Sequence, residues 1–88
     1  MWITLFTQVN AKPEYIDRVG FPYMNSGVIY KGSSYDKAQL AAYESAQQIV
    51  DNGGNLLYQW DDRFMDRGIN YALIDTNGLY WQIQIRKY

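Results

Sequence analysis

The sequence predicts an α+β fold, with one long helix packed on one face of an antiparallel sheet of about five strands. Three observations lead to this class. Residues 68–88 alternate between apolar and polar side chains as a β-hairpin does, and residues 34–51 carry small apolar side chains at helical spacing. Shorter strand-like segments lie on both sides of that helix, and those after it form a C-terminal β-meander. A chain of 88 residues fills one core, so residues 1–88 are predicted to form a single domain.

The C-terminal hairpin turns at residues 75–78. Its second strand alternates apolar and polar residues, with Leu79, Trp81, Ile83 and Ile85 on one face and Tyr80, Gln82, Gln84 and Arg86 on the other. A two-residue Asn-Gly turn would place Thr76 opposite Leu79 and mix the two kinds of residue on each face. A four-residue turn with Gly78 in the left-handed conformation keeps the kinds apart, pairing Leu73 with Trp81, Tyr71 with Ile83 and Ile69 with Ile85. Burial of one face favours the second register, with Leu73 and Trp81 under the helix.

The first third of the chain mixes strand, helix and loop patterns. Residues 2–9 carry apolar side chains on both faces, which predicts a strand inside the sheet. A short helix is predicted over 11–19, with Pro13 in its first turn and Gly20 at its end. Residues 21–27 are predicted to form a loop and 28–31 a short strand. The apolar side chains of this loop either fold back as a plug or contact a partner.

The central helix is predicted to begin with a capping box of Ser33 and Asp36, although Glu or Gln is usual at the second position. Its buried stripe is predicted to consist of Tyr35, Ala38, Ala42, Ala46 and Ile49 or Val50. Because alanine dominates this stripe, the helix can lie close to the sheet. Residues 52–54, Asn-Gly-Gly, end it, and 55–60 form a strand with Leu56, Tyr58 and Trp60 on one face.

Composition excludes several kinds of site. The chain has no histidine and no cysteine, which removes imidazole catalysis, thiol nucleophiles, disulfides and zinc sites built on these ligands. The sequence also contains no glycine-rich phosphate loop. Its carboxylate cluster, Asp61, Asp62 and Asp66, could bind a divalent cation, but Arg63 and Arg67 lie between and favour a salt-bridged connector. We therefore predict no enzymatic activity, no cofactor and no metal.

Charge and hydropathy limit the kinds of partner and the cellular compartments that the sequence predicts. A net charge of −1 and an isoelectric point near 5.1 argue against nucleic acid, because phosphate binding needs a basic surface. No apolar run reaches the ~18 residues of a membrane span, and the first residues lack the features of a secretory signal peptide. The sequence therefore predicts a soluble protein of the cytoplasm, of a cell or of a virus's host cell.

Aromatic residues are abundant, with nine Tyr, three Trp and three Phe. A core this small cannot bury every ring, so some rings belong either to an interface or to the outer packing of the sheet. The predicted partner-binding residues combine the polar row of the last strand with the apolar side chains of the 21–27 loop. They are Tyr80, Gln82, Gln84, Arg86, Phe21, Tyr23 and Met24.

The sequence thus predicts a non-enzymatic protein that binds a macromolecular partner, a protein in the first instance. Phage-encoded inhibitors of host defence, anti-CRISPR proteins among them, are similar in size and architecture. One alternative is a His-independent endoribonuclease. Arg86 and Tyr88 at the end of the last strand resemble in position residues of small bacterial endoribonuclease toxins, which also end in a β-meander and use Arg, Lys and Tyr; those toxins are basic and order their elements differently. Another alternative is a structural subunit that forms a homodimer through a sheet face or edge.

Overall fold

The computed structural model describes residues 1–9, 23–61 and 69–88, which form one helix and five strands. In chain order these are β1 (Trp2–Val9), β2 (Tyr23–Gly32), α1 (Tyr35–Asp51), β3 (Asn55–Asp61), β4 (Ile69–Ile74) and β5 (Tyr80–Lys87). The strands form one antiparallel sheet in the order β2-β1-β5-β4-β3, and α1 packs against one of its faces. The predicted α+β class is confirmed. The predicted helix at 11–19 and the connector at 62–68 lie outside the described residues.

Strand β5 is in the middle of the sheet between β1 and β4, and β2 and β3 are its edges. The predicted position of β1 inside the sheet is therefore confirmed. The prediction for β2 was too short, because the strand begins at Tyr23 and includes most of the segment predicted as the 21–27 loop. Pairing along the whole length of β1, as far as Val9 opposite Tyr23, satisfies backbone groups and overrides the turn preference of Asn25, Ser26 and Gly27.

Helix α1 is capped at both ends by its own sequence. The N-cap is Ser34 and not the predicted Ser33, and its side chain accepts a hydrogen bond from the backbone N–H of Lys37. At the other end Gly53 has a φ of 98°, and the N–H groups of Gly53 and Gly54 donate to the carbonyls of Val50 and Ile49. This is a Schellman motif, which confirms the predicted stop. Within the described part of the chain, no helix is long and apolar enough to cross a membrane.

The core lies between α1 and the face of the sheet beneath it. The predicted alanine stripe is confirmed, since Ala38, Ala42 and Ala46 are buried against this face. The sheet contributes mainly the fully buried side chains of its two inner C-terminal strands, which are Leu73, Ile83 and Ile85. The helix comes close enough for the Thr4 hydroxyl to donate to the Ala38 carbonyl oxygen at 2.8 Å. Small residues on α1 therefore set its distance from the sheet.

The hairpin of β4 and β5 has the four-residue turn. Leu73 lies opposite Trp81 and Tyr71 opposite Ile83, as predicted. The Asp75 N–H donates to the Leu79 carbonyl at 2.9 Å, and Gly78 has a φ of 79°. The third predicted pair, Ile69 with Ile85, lies beyond the ladder that pairs β4 with β5. Burial of one face has therefore selected the register, against the local preference of Asn-Gly for a two-residue turn.

Strand β3 departs from the predicted alternation. Leu56 pairs with Leu73 and Tyr58 pairs with Ala72, its neighbour, so Leu57 is an extra residue in a β-bulge. Leu56 and Tyr58 are therefore not on one face, and the prediction that they were was wrong. A bulge has no marker in side-chain hydropathy alone, because the extra residue here is itself apolar.

Candidate functional site

The predicted polar row of β5 lies on the sheet face opposite α1, because the residues between its members point into the core. The prediction that all four side chains of this row are exposed to solvent is wrong for two of them. Gln82 is 2% exposed and Gln84 5% exposed, whereas Tyr80 and Arg86 are half-buried. Gln82 lies between Thr7 and Ala72 of the neighbouring strands, Gln84 lies beside Leu5, and Asn70 and Ala72 on the same face are buried as well. The row presents a ring and a guanidinium, not four open polar groups.

Arg86 has fewer partners than its five N–H groups could use. Its Nη2 donates to Gln84 Oε1 at 2.9 Å, and its Nε is buried with no hydrogen-bond acceptor. No carboxylate of the described residues forms an ion pair with it. Gln84 therefore acts as a positioning residue that fixes the direction of the guanidinium.

A second cation lies near Arg86 on the same face. Ile3 pairs with Arg86 on one side and with Lys31 on the other, which separates the backbones of these two residues by two strand spacings, about 10 Å. Lys31 Nζ lies 5.2 Å from the centroid of the Tyr88 ring. The structure thus brings Arg86, Lys31 and Tyr88 to one corner of the sheet.

The remaining predicted site residues, Phe21, Tyr23 and Met24, come from the segment predicted as the 21–27 loop. Tyr23 and Met24 belong to β2 itself, so the predicted loop position is wrong for both. Their side chains and the whole of Phe21 lie outside what the structure describes. Whether they meet a partner therefore stays a prediction.

A larger apolar surface lies at the opposite edge of the sheet, along α1 and β3. Its side chains are each more than a third exposed, and we call the group the apolar strip: Leu40, Tyr43, Val50, Leu56 and Leu57. Leu40 and Tyr43, at 54% and 52%, are the most open of them. The edge strand beneath is uncharged over residues 55–60. Monomeric proteins usually protect such an edge with charged residues, proline, a β-bulge or a covering element, and β3 itself has the bulge at Leu57 and a charged residue only at its end, Asp61.

Two adjoining clefts run along the strip between α1 and the sheet, and Tyr43 and Tyr71 line both. The larger, of about 360 Å³, is also lined by Asp36, Gln39 and Leu40. The smaller, of about 80 Å³, is lined mainly by aliphatic side chains, including Val50, Leu56 and Leu73. Burial raises the pKa of the Tyr71 phenol, and Tyr43 and Tyr35 raise it further. The phenol therefore stays protonated at neutral pH and can donate or accept a hydrogen bond there.

Chemically, these surfaces offer rings, amides, a guanidinium and aliphatic groups. No group of three or more Asp or Glu residues suited to a metal ion occurs among the described residues. The Asp62 and Asp66 positions of the predicted carboxylate cluster fall outside them. The arrangement is suited to contact between surfaces, in which aromatic and aliphatic side chains supply most of the binding energy.

The apolar strip was missed by reasoning from the sequence, although a pattern for it exists. Leu40, Tyr43, Gln47 and Val50 follow one another at steps of three, four and three, which defines a second stripe beside the alanine stripe. Two neighbouring stripes on one helix normally indicate a wide buried face. Only the strand order, which puts β3 at the edge, shows that the second stripe is left exposed.

Comparisons with models of protein families, with characterised proteins and with solved structures found no match to this chain.

Proposed function

We propose that this chain is a non-enzymatic binding domain whose partner is a protein and whose contact surface is the apolar strip. The observation that carries the proposal is the exposure of Leu40, Tyr43 and Leu56 beside an uncharged edge strand. A partner that covers these side chains removes their apolar surface from water, which is favourable by roughly 25 cal/mol for each Å². Exposed clusters of this kind on small domains commonly mark protein interfaces.

An inhibitor of the phage type, which acts by occupying a surface of a host protein, is one form that such a domain takes. The size, the architecture and the binding surface support that form. The identity of the partner decides between an inhibitor and other binding proteins, so the partner should be identified first.

The test is capture of a partner from the source cells followed by measurement of its affinity in purified form. The double variant Leu40→Gln/Tyr43→Gln keeps helix propensity and net charge while removing the most exposed part of the strip. We expect it to weaken binding tenfold or more, as loss of central interface residues does. The matched control Lys37→Gln/Glu44→Gln changes two exposed side chains of α1 that line neither cleft, also leaves the net charge at −1, and should change affinity less than twofold.

The rival surface is the sheet face around Tyr80 and Arg86. If Tyr80→Ala or Arg86→Ala weakens binding tenfold while Leu40→Gln/Tyr43→Gln binds like the unchanged protein, the proposed surface is wrong. If the captured partner is the chain itself, the function is that of a self-associating subunit and the proposal also fails.

A second candidate function, RNA cleavage, is favoured by one observation, the meeting of Arg86, Lys31 and Tyr88 at one corner. Arginine and lysine can hold a phosphate, and a tyrosine can transfer a proton. Labelled single-stranded RNA incubated with the protein tests this directly. Cleavage that Arg86→Ala and Tyr88→Phe abolish would favour the ribonuclease, and intact RNA at high protein concentration would exclude it.

A further inference from the structure

The two clefts along the apolar strip differ in chemistry. The larger is lined by the carboxylate of Asp36, the amide of Gln39 and the side chains of Leu40, Tyr43 and Tyr71. Of the residues that the structure describes, none with a charge lines the smaller. Because the clefts share the two tyrosines, side chains that enter them together must lie close to each other on the ligand.

The carboxylate of Asp36 is not neutralised within the described structure. Asp36 is exposed in the first turn of α1, and no basic side chain of residues 1–9, 23–61 or 69–88 forms an ion pair with it. Among the described residues, no Lys or Arg lines either cleft. A cation in the larger cleft would meet a carboxylate, an amide oxygen and two tyrosine side chains.

We propose that the paired clefts bind a segment of a protein partner that carries an arginine or lysine next to an aliphatic residue. The cationic side chain occupies the larger cleft and the aliphatic side chain the smaller. This rests on the proposed function and names the chemistry of the partner for that same surface. The described lining supplies no cation to the Asp36 of an opposing copy, which favours a separate protein over a second copy of this chain as the occupant.

The experiment is a titration followed by amide chemical shifts of the ¹⁵N-labelled protein. The probes are two capped peptides, acetyl-Leu-Arg-Leu-amide and acetyl-Leu-Gln-Leu-amide, at low and at physiological salt. We expect shifts at residues 36–43 and at Tyr71 and Leu56, with the arginine peptide binding at least fivefold more tightly at low salt. The preference should shrink as salt is added, because the Asp36 carboxylate is exposed.

Variants test whether Asp36 causes the preference for the arginine peptide. Asp36→Asn should remove the preference for arginine while leaving the binding of the glutamine peptide, and Glu44→Gln, which removes a carboxylate that lines neither cleft, should leave the preference intact. Gln39→Glu adds a second carboxylate to the larger cleft and should increase the preference, which keeps the proposal testable if Asp36→Asn loosens the helix start.

Equal binding of the two peptides to the unchanged protein would overturn the proposal. So would shifts centred on Arg86, or shifts at the strip that grow with protein concentration when no peptide is present. None of these outcomes depends on the capture experiment, where Leu40→Gln/Tyr43→Gln tests the strip without reference to charge. A strip that binds its partner but shows no preference for arginine would leave the proposed function standing and remove this inference alone.

Discussion

At the scale of single residues, Asp75 organises the turn between β4 and β5. Its Oδ1 accepts the backbone N–H groups of Asn77 and Leu79 at 2.8 and 3.0 Å, and its Oδ2 accepts the indole N–H of Trp81 at 2.8 Å. One carboxylate therefore closes the turn and fixes a half-buried ring of the core. Only an acceptor with both oxygens available can do this, which favours the ionised form.

The first prediction concerns acid stability. Burial alone would raise the pKa of Asp75, but the hydrogen bonds from Trp81, Leu79 and Asn77 outweigh it and lower the pKa below 3.8. A lowered pKa gives stability that is present above pH 3.8 and lost as the pH falls through the folded-state value. Asp75→Asn should be less stable at pH 7, because an amide cannot accept all three bonds, and its stability should vary less with pH below 4. Urea unfolding from pH 7 to pH 2.5 measures this, and an unchanged acid slope would contradict it.

The second prediction concerns Gly78, whose φ of 79° lies in the left-handed region. A Cβ added there would meet no atom within 4 Å, so any loss of stability comes from the backbone and not from a clash. Gly78→Val should lower the free energy of unfolding by about 1 kcal/mol or more, since β-branched residues are strained in this conformation. Gly78→Asn should lose much less, because asparagine tolerates it. Equal losses for the two variants, by urea denaturation, would show that φ is not the cause.

At the scale of elements, the fit of α1 on the sheet depends on the absence of side-chain bulk. Ala42 is completely buried, and the Thr4 hydroxyl reaches the backbone of the same helix face. The third prediction is that Ala42→Leu lowers the free energy of unfolding by about 1–3 kcal/mol through overpacking. Gln48→Leu adds a similar side chain on the exposed side of α1 and should be nearly neutral. Thermal unfolding of the pair measures the difference, and equal melting temperatures would mean that the interface yields without strain.

Local patterns in the sequence predict those elements whose stability is decided locally. The alternation from Leu79 to Arg86 determines a strand. The alanine spacing determines the buried face of α1, and Asn-Gly-Gly determines where this helix ends. The start of β2 and the bulge at Leu57 depend instead on partners distant in sequence. Tyr23 is in a strand because Val9 lies opposite it, and Leu57 is extra because β4 offers one residue where β3 has two. No local pattern carries that information.

At the scale of the whole molecule, strand order decides which surfaces are available. Alternation correctly placed Tyr80 and Arg86 away from the helix but could not show that Gln82 and Gln84 are buried on that face. The same order leaves β3 at an edge and so exposes Leu40 and Tyr43, whose spacing alone suggested burial. The sequence could therefore predict which side chains share a face of the sheet or helix, but not which of them are exposed to solvent.

The central position of β5 also has a consequence during folding. Until β5 has paired, β1 and β4 each lack the neighbour that they share in the finished sheet. Both strands, apolar in much of their sequence, are then temporary edges with unpaired backbone groups, so the two strand pairs β2-β1 and β4-β3 have four edges where the described sheet has two. The insertion of β5 is thus the step that protects these inner strands from aggregation.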